Sequence, residues 1–162
     1  MKKARAAVTG SPQPSFRSAC AAFFLATVCL AIASPSWASA NVSCAIDDNF
    51  LSFELEAIAG RDGPIMQVQT GRISVKKAAD FELAAPDVSF DKTQIVQQWM
   101  FDDDMRLQVV VDDAKAQQTI DLVILARNDA KQDKYFGRYI LTLSRAGASK
   151  KLQGRIKQCE AG

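Results

Sequence analysis

Carboxylate pairs, one S-x-x-K segment, four cysteines and a late cluster of lysines and arginines are the residues of this chain that could carry chemistry; histidine is absent. Without histidine, the chain alone cannot supply a Ser-His-Asp or Cys-His mechanism, nor histidine-ligated zinc or haem. Glu54 and Glu56 lie two apart in FLSFELEAI. On a strand they share one face about 6.5–7 Å apart, within the range glycosidases use. A catalytic pair lines a cleft from separate elements, whereas these face away from Phe53 and Leu55, so a solvated face is expected. Ser74-Val75-Lys76-Lys77 matches S-x-x-K. A strand turns positions i and i+3 to opposite sides, however, and the S-D-N and K-T-G partners of that motif are missing.

Asp102-Asp103-Asp104 and Asp112-Asp113 are the other acidic clusters. They bracket a strand about 25 Å long and lack the EF-hand spacing with its glycine and terminal glutamate, so they are expected to be turn residues. The expectation is therefore no catalytic residue, no metal site and no cofactor. A hydrolase working through carboxylates alone is a distant alternative.

Of the four cysteines, Cys20 and Cys29 fall in the N-terminal segment. There Lys2, Lys3, Arg5 and Arg17 precede the apolar run ACAAFFLATVCLAIA, and Ala38-Ser39-Ala40 follows Pro35 and Trp37. This order of basic, apolar and small residues is that of a secretory signal cleaved after Ala40. As a helix, the apolar run would rise about 22 Å against a hydrocarbon core of ~30 Å, so no transmembrane anchor is expected after cleavage. Asn41-Val42-Ser43 ahead of Cys44 is not a lipid-attachment sequence. Residues 1–40 are thus expected to be a cleavable signal peptide and residues 41–162 a single all-β domain that is periplasmic or secreted. Cys44 and Cys159 remain, one near each end, and an exported context favours a disulfide between them. Closing a loop of that length removes about 4–5 kcal/mol from the unfolded state in the chain-entropy model.

Period-two alternation runs through the chain beyond Cys44. Leu51, Phe53, Leu55 and Ala57 share a face; Gly60-Arg61-Asp62-Gly63-Pro64 is a turn signal; IMQVQTGRISVKK resumes the alternation, with a phase slip expected as a bulge at Gly71. Phe81–Phe90 reads as a short edge strand broken at Pro86, and residues 94–100 as a strand or a helical turn capped by Thr93, with the strand preferred. Three more strands, around Met105–Val111, Thr119–Arg127 and Tyr135–Arg145, precede KLQGRIKQC. About seven to nine antiparallel strands with short loops predict an antiparallel β-sandwich or a small up-and-down β-barrel, its termini joined by the disulfide.

Charge is unevenly spread. The whole chain has 20 basic and 18 acidic residues, but four of the basic ones leave with the signal, so the remainder is slightly acidic. Residues 41–113 carry six basic against fourteen acidic side chains, and residues 127–157 nine against two. Such polarity either pairs internally across the sheet or builds a basic patch from Arg138, Arg145, Lys150, Lys151, Arg155 and Lys157 on the last hairpin. Outside the cytoplasm that patch would meet a protein or an anionic envelope component rather than nucleic acid. Tyr135, Phe136 and Tyr139 beside it, and Trp99, are expected to pack in the core.

In outline, an exported all-β domain of this size with a cysteine near each end resembles periplasmic lysozyme-inhibitor domains and small lipocalin-like barrels; the likeness transfers no residue. The expected function is a non-enzymatic, inhibitor-like binding or interaction module. The alternative is a small-ligand carrier with a cavity inside the barrel. The sequence assigns no oligomeric state.

Overall fold

The alternation of FLSFELEAI places Leu51, Phe53, Leu55, Ala57 and Ala59 on one side of a strand, and all five are buried in the computed structural model. The structure describes residues 39–60, 63–132 and 134–161. The expected signal peptide lies almost entirely outside the described residues.

The described residues form nine strands: β1 (Ser39–Asp47), β2 (Leu51–Gly60), β3 (Ile65–Val75), β4 (Asp87–Ser89), β5 (Ile95–Phe101), β6 (Asp104–Asp113), β7 (Gln118–Asp129), β8 (Lys134–Arg145) and β9 (Ala148–Ala161). Every pairing is antiparallel, in the order β4-β3-β2-β1-β9-β8-β7-β6-β5. The first and last strands therefore meet in the middle of the sheet, and consecutive strands β4 and β5 form its edges. Beyond the short β4, the start of β3 approaches the β5 edge: Ile65 N–H donates to Gln98 Oε1 on β5 at 2.7 Å. Of the two architectures expected, the structure is the barrel, a single curled sheet with a seam sealed by a side chain.

The inward faces share one core. Leu107 and Val109 of β6, Ile120, Leu122 and Ile124 of β7, and Tyr139, Leu141 and Leu143 of β8 meet the β2 face and Ile73 of β3. Phe90, from the link between the edge strands, stacks on Phe53 with centroids 5.7 Å apart. Cys44 and Cys159 stand opposite one another in the β1–β9 register and are disulfide-bonded.

Tyr139 is wholly buried, and its hydroxyl donates to Asp48 Oδ2 while Asp48 Oδ1 accepts from the N–H groups of Phe50 and Leu51. Burial, and then the bond to Asp48, raise the phenol well above the usual tyrosine value. Gly154, opposite Tyr139 on β9, makes room for its ring: a Cβ there would collide with the ring and with the Asp48 carboxylate.

Three local expectations change. The slip in β3 is taken up at Gln69 and Met66, where the register against β2 skips a residue, and not at Gly71. Gly71 serves a close approach instead, since a Cβ would strike the Phe90 carbonyl. Only Asp87–Ser89 of the segment around Pro86 is strand, because the buried Gln118 amide takes up the N–H groups of Ala84 and Ala85 and the carbonyl of Ala85. Residues Ile95–Phe101 are strand as preferred, but the preceding 3-10 turn is capped by Asp91, which accepts from Thr93 N–H and Oγ1, and not by Thr93.

Candidate functional site

Alternation along β9 sorts its side chains into two sets. Leu152, Gly154 and Ile156 lie opposite inward positions of β8, whereas Lys151 lies opposite Thr142, Gln153 opposite Ile140 and Arg155 opposite Arg138, all on the outer face. Lys157 follows at the same outward parity and is exposed. The outer surface of β8–β9 thus carries Arg138, Lys151, Arg155 and Lys157.

The other two cations of the sequence-defined patch have a different job. Arg145 lies opposite buried Gln118 and Lys150 opposite buried Leu143, so both emerge at the barrel end. Arg145 Nη1 reaches the Glu82 carbonyl at 3.3 Å and its carboxylate at 3.5 Å; Lys150 Nζ reaches the Asp80 carbonyl at 2.9 Å and its carboxylate at 3.3 Å. They clamp the β3–β4 connection onto the barrel.

Among the described residues, Arg138, Lys151, Arg155 and Lys157 form no ion pair, while Arg127 and Lys134 of the same region pair with Asp104 and Glu160. Arg155 and Lys157 border a surface cleft with Asp47 and Asp48. Those carboxylates are engaged elsewhere, Asp47 by Lys76 and Asp48 by Tyr139.

The register extends this face beyond the hairpin. Trp99, Arg106, Leu125, Arg138 and Arg155 occupy one row across β5 to β9. The next row is Gln97, Gln108, Val123, Ile140 and Gln153. Half-buried Leu125, Val123, Phe136 and Ile140 therefore lie among cations on this surface. The Arg106 guanidinium lies 4.8 Å from the Trp99 ring centroid, and Trp99 stacks on Phe101 at 6.2 Å. Trp99 is exposed, not a core residue. Of the aromatics near the patch, Tyr135 and Tyr139 are buried as expected, whereas Phe136 faces outward.

Two carboxylates lie on this surface: Asp104 borders a groove with Arg106, Leu125, Phe136 and Arg138, and Asp121 accepts from Gln108 Nε2 at 2.9 Å. Glu54 and Glu56 are exposed on the outer face of β2, Glu56 accepting from Thr70 Oγ1 at 3.2 Å. Asp104 lies 3.9 Å from Arg106 and 3.8 Å from Arg127. Asp112 accepts from Thr119 Oγ1, and Asp113 from the N–H groups of Lys115 and Ala116. Ser74 donates to Asp87, and Lys77 stands exposed in the 3-10 turn after β3.

No family model, curated protein or solved structure matches this chain. Among the described residues no helix is long and apolar enough to cross a membrane. The disulfide is compatible with folding outside the cytoplasm.

Proposed function

We propose that this is an exported, periplasmic, non-enzymatic binding module that contacts an acidic protein surface through the outer face of β8–β9. The observation that carries the reading is the juxtaposition of Arg138 and Arg155 in register, with no acidic neighbour engaging either among the described residues. Like charges directly opposite on a sheet cost stability, so a partner that supplies carboxylates gains from relieving them. The apolar positions between the cations, Leu125, Phe136 and Ile140, favour a protein over a purely ionic polymer. Arginine mixed with aromatic and aliphatic side chains is the composition of protein interfaces. Changing Arg138, Lys151, Arg155 and Lys157 to glutamine should abolish salt-sensitive binding to the partner. Unchanged binding would remove this face from consideration.

A further inference from the structure

The barrel seam has a notch of about 180 Å³ between the start of β3 and the β5–β6 hairpin. Ile65, Met100, Met105 and Leu107 wall it, and Gln98 and Arg106 are its polar members. All four large apolar side chains that the described residues expose, Met66, Val96, Trp99 and Phe101, lie on the two strands that border this seam. Single exposed apolar residues are ordinary; their concentration around one opening marks a binding surface.

The polar members say what kind of ligand fits. Gln98 Oε1 is fixed by Ile65 N–H, so its amide nitrogen points the other way and has no protein acceptor among the described residues. Arg106 is held over Trp99 and lies 3.9 Å from Asp104, an exposed contact too long to satisfy its fork of donors. Two donors at the lip of an apolar notch match an anion whose body is apolar. An apolar cavity of about 150 Å³ accommodates benzene, so this notch has room for one ring or a short alkyl chain. Two methionines in its wall can adjust to either.

We propose that the seam binds a small amphipathic carboxylate, with its ring or chain between Ile65, Met105 and Leu107 and its carboxylate on Arg106 and Gln98. Arg106 also belongs to the row that continues the β8–β9 face, but no described residue of β8 or β9 lines the notch, so Arg138→Gln with Arg155→Gln should leave it unchanged.

Isothermal titration of the exported protein with phenylacetate, and with neutral phenylacetamide as its near-isostere, tests this. Saturable phenylacetate binding with a Kd on the order of 1 mM is expected, given the ligand's size. Arg106→Gln, an exposed change, should weaken phenylacetate about tenfold and leave phenylacetamide unaffected. Met100→Trp, on the edge strand, should fill the notch and abolish binding of both. Equal affinity of wild-type protein for the two probes, an Arg106→Gln variant that binds phenylacetate as well as wild type, or the absence of saturation would overturn the proposal.

Discussion

Arg138 and Arg155 face each other across β8 and β9 on the outside of the barrel, and no carboxylate among the described residues engages either one. Cross-strand neighbours sit about 5 Å apart at Cβ, so the sheet holds two guanidinium groups where a neutral pair would be more stable. Arg155→Gln should therefore raise the free energy of unfolding by about 0.2–1 kcal/mol, read from urea denaturation at low salt. The gain should shrink as salt screens the repulsion. Surface changes that stabilise a protein while weakening its binding are the usual sign of a functional face.

The disulfide sits where the sheet is most in need of it. Register pairs join β1 to β9 only over Val42–Ala45 against Gln158–Ala161, whereas β7 and β8 pair along their full lengths. The Cys44–Cys159 bond crosses this short ladder and closes a loop spanning 115 positions. Replacing both cysteines by alanine should cost about 4 kcal/mol in denaturant unfolding. An unchanged midpoint would show that the ladder holds the halves together unaided.

Tyr139 and Asp48 link the centre of β8 to the β1–β2 turn. Tyr139→Phe should cost about 1.5–3 kcal/mol at neutral pH, because a buried bond to a charged acceptor is lost. The pH dependence has a definite sign. The folded phenol titrates above its unfolded value of 10.0, so its contribution is complete below that pH and is lost as pH rises past it. Wild-type stability should accordingly fall more steeply above about pH 10 than that of Tyr139→Phe. Parallel curves for the two proteins would place the alkaline transition elsewhere.

Gln118 offers a test of the β3–β4 connection. It is the one buried polar side chain among the described core positions, and its amide serves three backbone groups of Ala84 and Ala85. Gln118→Leu keeps the volume and strands those groups, at a cost of about 2–3 kcal/mol. Faster amide exchange should be confined to residues near Ala84, and global loosening would count against this local role.

The barrel strands were legible because each carries an apolar face with period two, as in Leu51–Ala57 and Tyr139–Leu143. The cysteine pairing followed from an expected export signal, whose removal would leave two cysteines, one near each end. The features that escaped were set by contacts distant in sequence. Gly71 reads as a bulge until Phe90 is seen to lie over it, and Pro86 reads as a strand break until Gln118 is seen to claim the neighbouring backbone. The division of the basic patch does have a sequence signal. In KKLQGRIK, Leu152 and Ile156 mark the inward parity, which puts Lys150 with them and leaves Lys151, Arg155 and Lys157 outside. The row from Trp99 through Arg106 and Leu125 to Arg138 has none, because it exists only once the register of five strands is fixed.

A quantitative pull-down from periplasmic extract, with the exported protein and its Arg138→Gln/Arg155→Gln variant compared at low and moderate salt, bears most directly on the β8–β9 face. An acidic protein should be retained by the wild-type chain at low salt, released as salt rises, and missing from the variant, whose fold is verified by its thermal melt. Capture of the same proteins by both chains, or by neither, would contradict the assignment of this face as the contact surface.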